Sequence, residues 1–324
     1  NTASPNNTTN ASSLIASGGT TNQSSILQPK GTGFVSLQLP DSTTTGGNIR
    51  GDYAVDLQLI RSSSSAVASG ISSFVVGENN VASNQYGIAI GKSNTSSNTI
   101  AVAIGINNTA SASNSVAIGT NNTSSATYSV ALGYSNFSQA EGSVALGYGN
   151  TASGIASTAI GYNCEATNYQ TFAIGLYSKA TVRAQFAHAS GYYTVVGDAQ
   201  TSVLVSKRIT TDDTPAVISP DNSGTGTPVA SGRVFGFEVR VVGKRTDTGT
   251  DVFHNKIEGT ISNNGGTTSI QGTNVTTAIT NTAGTWAAVV VANDTTDTME
   301  VTVTGESGAT IRWLARITLV EITS

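Results

Sequence analysis

Residues 143–154 read SVALGYGNTASG, in which Gly147-x-Gly149-x-x-Ala152 follows a short apolar run as in a dinucleotide-binding turn. Such glycines let a backbone approach a pyrophosphate, and the helix N-terminus that follows them receives its charge. No helix pattern follows here, so the chemistry lacks its second half. Gly91-Lys92-Ser93 has the ending of a phosphate loop, but Tyr86 stands where that loop needs its leading glycine. His188 and His254 have neither metal-ligand spacing nor cysteine companions, so no metal site is expected. Cys164 is the single cysteine, which excludes an intrachain disulfide, and it has no nearby His to activate it. No G-x-S-x-G elbow presents a nucleophilic serine. A glycosidase would need two carboxylates about 5–10 Å apart in a groove. The available sets, Asp212-Asp213, Asp247 with Asp251, and Asp294 with Asp297, lie in turn contexts that favour Asp in any case. The expectation is a protein with no catalytic residues and no cofactor.

Composition points the same way. Of 324 residues only 10% are charged and 6% aromatic, while Gly, Ser, Thr, Asn and Ala dominate. A hydrophobic fraction of 38% is too high for a disordered chain. A net charge of −4 gives no basic surface for nucleic acid. No apolar run reaches the ~18 residues of a membrane-spanning helix, so no membrane insertion is expected. The chain begins NTASPNNTTNASS without Met or a signal-peptide pattern, and reads as a fragment or processed form of a longer polypeptide.

The elements that must position these residues emerge from self-similarity. FVVG, IAIG, VAIG, VAIG, VALG, VALG, TAIG and FAIG end at Gly77, Gly91, Gly105, Gly119, Gly133, Gly147, Gly161 and Gly175, always fourteen residues apart. The series degrades to FAHA at 186–189, where His188 takes the Leu/Ile place. Three residues after each glycine sits Asn80, Asn94, Asn108, Asn122, Asn136 or Asn150, then Cys164 and Ser178. The apolar spacing is two, not 3.6, which specifies strands. Two short strands and two turns per unit make one coil of a parallel β-solenoid, with coils stacked ~4.8 Å apart. In Val144-Ala145-Leu146 the large residues are expected to be the buried ones, and the alanines to form an outward, uncharged face. Such a face would lie bare in a monomer, which implies an oligomer. Gly147-x-Gly149 is then an accident of the period.

The units SVAIGTNNTSSATY, SVALGYSNFSQAEG and SVALGYGNTASGIA closely resemble the head repeat of YadA-like trimeric autotransporter adhesins. That resemblance covers roughly residues 71–190 and implies a homotrimeric left-handed parallel β-roll. The rest divides into a polar stalk or linker at 1–30, a β-rich lead-in segment at 31–70 and a neck at 191–200. Residues 201–324 alternate in the manner of an antiparallel β-sandwich knob, making the chain all-β. Its expected strands are 202–210, 233–242, 252–261, 285–292, 299–305 and 310–322.

The end, TIRWLARITLVEITS, lacks the consecutive long strands and aromatic last residue of a membrane barrel. GDAQTSVLVSKRITTDDTP, TGESGATIRWLARITLVEI and LPDSTTTGGNIRGDYAVDLQ instead resemble segments of bacteriophage tail-fibre proteins. That resemblance implies a virion structural protein, the distal part of a tail fibre that adheres to a bacterial surface glycan or protein. It would join other tail proteins through an upstream part. A bacterial trimeric surface adhesin is the alternative, and a polysaccharide-degrading tailspike the third. Candidate receptor contacts are the row Tyr134, Tyr148 and Tyr162, together with Asp221, Asn222, Asp247, Asp251, Asn263 and Asn264. The loops 221–228, 245–251 and 263–274 are expected together at the far end of the knob. Trp286 and Trp313 fall in apolar strands and read as core.

Overall fold

A computed structural model of the chain describes residues 5–6, 11–12, 29–247 and 249–323. Most of the expected 1–30 stalk therefore lies outside the described residues. Every regular element among those residues is a strand. From Phe74–Glu78 to Phe186–Ser190, nine five-residue strands stack in parallel with no register shift, so that Val144 pairs with Val130 and Thr158. Eight two-residue strands, Val81–Ala82 to Lys179–Ala180, form the second sheet of the same solenoid. The roll begins on Val35–Ser36 and Val55–Ile60, which extend the long-strand sheet in parallel.

The interior of the roll is the reverse of the expectation. Ala89, Ala103, Ala117, Ala131, Ala145 and Ala159 are fully buried, facing Ala or Ser of the short strands. Apart from Val75, which takes the inward place in the first coil, the large residues point outward, and Leu146 is 39% exposed. A coil of fourteen residues brings its two sheets so close that only methyl- and hydroxymethyl-sized groups fit between them. Val, Ile and Leu, sharing the opposite face of each long strand, are left outside it.

Polar groups take over much of the cohesion. Asn122 Nδ2 donates to Ile118 O (3.0 Å), to Gly133 O of the next coil (2.7 Å) and to Asn108 Oδ1 of the previous one (3.0 Å). Its Oδ1 accepts from the backbone N–H and the side chain of Asn136. Repetition along Asn80–Asn150 makes a continuous buried ladder with every amide used, the condition under which buried polar groups are tolerable. The ladder meets a glutamine at its first residue and passes to Cys164 at its last, where Asn150 Oδ1 accepts from Cys164 N (2.9 Å), and a second glutamine caps the final short strand. Gln58 Oε1 accepts from Asn80 N (2.9 Å), and Gln200 Oε1 accepts from Lys179 N (2.8 Å). The repeated glycines are fixed by proximity: at Gly119, φ is +121° and a Cβ would sit 2.1 Å from Gly133 O.

Beyond the roll, Ala199–Thr210 adds antiparallel to Phe186–Ser190, so the long-strand sheet runs on without a break. Its order continues through Ile311–Thr323, Arg233–Arg245 and Val252–Asn264 to Thr267–Ile270 and Val275–Asn281. A smaller antiparallel sheet is centred on Thr298–Thr304, flanked by Ala287–Asn293, Ala216–Ile218 and Thr227–Pro228. Both sheets feed one core that includes Leu204, Phe253, Val290, Met299 and Trp313. Trp313 packs edge-on against Phe253 and Trp286, and its Nε1 donates to Thr210 Oγ1 at 2.9 Å.

Candidate functional site: an aromatic row, turn carboxylates and a bare sheet face

Tyr134, Tyr148 and Tyr162 occupy one column of the roll, immediately after the glycines. Their rings are parallel, with centroids 4.9 and 4.7 Å apart. Tyr177 continues the row edge-on at 5.5 Å, followed by Tyr192. Tyr177 beside it holds the Tyr162 phenol above the ordinary tyrosine range, with smaller contributions from burial and Tyr148. Because the rings cover one another, the row turns edges and hydroxyls to solvent. A sugar could stack on an end ring, not along the row.

The candidate loop residues do not share one end. Strand register puts the 245–251 loop beside Thr210 and Ile311, and Arg208 Nη1 donates to Asn222 O at 3.1 Å, so the 221–224 turn lies on that side too. Asn263 and Asn264 sit at the opposite strand ends, where Asn264 pairs with Thr267 across a Gly265-Gly266 turn. The expectation that all three loops meet at one end is therefore wrong. It rested on loop composition, whereas hairpin connectivity sends successive turns to opposite ends.

The acids in these loops are engaged in folding. Asp221 Oδ1 accepts from Ser223 N–H and Ser219 Oγ, and hydrogen bonds to Ser223 hold its carboxyl down at about 2. Asp247 binds Arg245 Nε at 2.6 Å and Thr310 N at 2.9 Å. Asp251 shares that guanidinium at 3.8 Å. Asp294 and Asp297 accept from the backbone and hydroxyl of Thr268. Asn263 is buried and bridges Val229 O to Gly266 N.

Other candidates for chemistry resolve similarly. His188 pairs in register with Ile174 and Thr201 on the outward face. Cys164 is buried in the Asn column, with Sγ 3.2 Å from Gly175 O, and burial pushes its thiol up. Among the described residues, no three His, Cys, Asp or Glu converge on a possible metal position. No helix of the described residues is long and apolar enough to cross a membrane.

Sequence reasoning passed over the outward face of the long-strand sheet. Burial alternates strictly along Ile311–Thr323, with Ile311, Trp313, Ala315 and Ile317 inside and Arg312, Leu314 and Arg316 outside. Phe186 pairs with Val203 and His188 with Thr201, so this face prolongs the outward Val/Ile columns of the roll. Glu238 and Glu258 stand directly opposite one another on it. Lys256 Nζ lies 3.6 Å from the first and 2.9 Å from the second, and Arg240 Nε donates to Glu238 at 2.9 Å. Two clefts, of about 430 and 480 Å³, flank Arg312. One is lined by Lys244 and Arg245, the other by Lys207, Arg208 and Leu314. The alternation in RVFGFEVRVV and TIRWLARITLVEI was the available signal.

Residues 68–94, 101–122, 110–136, 124–150 and 138–163 match the YadA head domain repeat. Among solved structures, the chain is similar to the tailspike protein of Acinetobacter phage vB_ApiP_P1, with 10% identity and a TM-score of 0.25. The alignment covers 86% of this chain and 59% of the tailspike, so the chain spans less than two thirds of that protein's length. No curated protein matches the chain.

Proposed function

We propose that this protein is the distal part of a homotrimeric phage tail fibre, located on the virion, that adheres to a bacterial surface glycan or protein without catalysis. The observation that carries the adhesive, oligomeric part is the roll itself: YadA head repeats whose large aliphatics, Val75 of the first coil apart, point out of the coil. Columns of Val, Ile and Leu along nine coils form an apolar face larger than soluble monomers leave in water. Packing three such faces about one axis covers them and gives a stiff left-handed roll, with the two-sheet region as a β-sandwich knob. Weak contacts are then multiplied by copies of the chain and of the fibre.

The phage assignment draws on the resemblance of the lead-in and C-terminal segments to tail fibres. The head repeats alone fit a bacterial trimeric surface adhesin equally well, and detection of the chain in purified virions decides between the two. Sedimentation should give the mass of three chains, and the purified protein should bind host cells while releasing no oligosaccharide from their polysaccharide. A monomer overturns the architecture, and released sugar overturns the absence of catalysis.

A further inference from the structure

The bare face of the long-strand sheet is divided lengthwise by charge. Toward the Ala199 end its outward residues include Thr201, Val203, Val320, Glu238 and Glu258, in line with the columns of the roll. Toward the Thr210 end the outward ionisable residues are His254 and the cations Lys207, Arg240, Lys244, Lys256, Arg312 and Arg316. The cations are six of the nine Lys and Arg residues of 198–324, a region that also carries thirteen acids. No carboxylate occupies an outward strand position in this half, and exposed Val205, Ile209, Val242 and Leu314 lie between the cations.

The arrangement works against the fold on its own. Lys244 is directly opposite Arg312, and Arg240 is directly opposite both Arg316 and Lys256. Like charges in direct cross-strand register are destabilising. Arg240 and Lys256 are relieved by Glu238 and Glu258. Lys207, Lys244, Arg312 and Arg316 make no side-chain hydrogen bond or ion pair with any described residue. The nearby loop acids Asp221 and Asp247 each line one of the clefts beside Arg312, with their carboxylates tied to Ser223 and to Arg245 and Thr310. A second copy presenting the same half would add more cations. A polyanion removes the repulsion, and its rings can lie on the aliphatic stems and on Leu314 while guanidinium groups take carboxylates.

We propose that this cationic strip is the docking surface for an acidic, uronate-bearing polysaccharide. The inference rests on the adhesion reading and narrows its receptor class. It places recognition on strands, and not in the Asp- and Asn-rich loops.

The test uses the full chain, immobilised, with polygalacturonate, neutral dextran and inorganic polyphosphate as soluble probes. Polygalacturonate should bind and dextran should not, with binding weakening as salt rises. Arg312→Glu with Arg316→Glu should weaken polygalacturonate binding about tenfold or more. Arg312→Gln with Arg316→Gln should lose less, and Lys92→Glu in the roll should change nothing. Thermal unfolding of both double variants at or above the wild-type temperature, as relief of the like-charge pairs with Lys244 and Arg240 requires, separates binding from folding. Equal binding of dextran, binding of polyphosphate alone, or indifference to both double variants overturns the proposal. Whole-cell binding run in parallel separates the two levels. If cells are bound equally by wild type and the charge-reversed protein, the strip is not the site and adhesion stands. If no cell is bound, the adhesion reading falls whatever polygalacturonate does.

Discussion

The roll and the two-sheet region share one hydrogen-bonded sheet, yet they place their large side chains on opposite sides of it. In the roll, Ala and Asn are inside and Val, Ile and Leu outside. In the region after Ala199, Trp313, Phe253 and Ile317 are inside, while Lys, Arg and scattered aliphatics are outside. The first is held by backbone ladders and a satisfied amide column, and completed by whatever covers its apolar face. The second has its own hydrophobic core. Period-2 alternation is identical in both, so alternation alone does not say which face is the inside.

The sharpest way to break this contrast is to add one methyl group on each side of the joint. At Gly119 a Cβ would meet Gly133 O at 2.1 Å with φ at +121°, and backbone of the next coil cannot move aside without opening the stack. At Gly236 the added Cβ meets nothing within 4 Å. Gly119→Ala should therefore abolish soluble, folded roll, whereas Gly236→Ala should leave expression and far-UV circular dichroism unchanged. Similar behaviour of the two variants would contradict the packing described for both regions.

Removing cohesion, not adding bulk, gives the next largest effects. Trp313→Ala empties the centre of the two-sheet core and should cost about 3–5 kcal/mol. Asn122→Ala breaks the amide ladder and strands Gly133 O and the Asn136 donors, at about 1–3 kcal/mol for each group left unsatisfied. Both tryptophans, Trp286 and Trp313, lie after the joint, so tryptophan fluorescence reports that region alone. Heating should show the Asn122 variant losing far-UV signal before its fluorescence changes. Simultaneous loss of both signals would mean that the continuous sheet unfolds as one unit.

Much of the roll was legible because it is written eight times. The glycine spacing, the Asn column and the parallel stacking follow from repetition of single positions such as Gly119 and Asn122. The direction of Val144 and Leu146 was not legible, because it depends on the gap between two sheets and not on either strand. The Ala and Ser residues of the short strands, at Ala110, Ser124 and Ala152, were the overlooked clue to how narrow that gap is. Strands after the roll were visible where apolar alternation is strong, as in Arg233–Arg245. Val275–Asn281, reading VTTAITN at the sheet edge, has too little apolar contrast to stand out. Of the candidate site, the tyrosine column was readable from the period. The cationic strip was not, since it exists only through register between strands as distant in sequence as Lys244 and Arg312.

The joint itself offers the smallest and most specific test. Asp198 accepts from the backbone N–H groups of Tyr193, Thr194 and Val195 and from Thr194 Oγ1, while its own carbonyl receives Thr323 N at 2.9 Å. Burial works to raise its pKa, but the hydrogen bonds from Val195, Thr194 and Tyr193 outweigh it and hold the group at about 2, against an ordinary 3.8. A depressed carboxyl pKa stabilises the fold above the unfolded value, and that stability is lost as pH falls through the folded one. The contribution should be about 2 kcal/mol, complete above pH ~4 and gone below pH ~2. Asp198→Asn should accordingly lower thermal stability at neutral pH and converge with wild type near pH 2. Cleavage by pepsin, active in that range, should appear first in the 191–197 segment as wild type is acidified, since the carboxylate is what closes that turn. If the variant and wild type keep the same separation down to pH 2, the ionised carboxylate is not what ties the roll to the sheet beyond it.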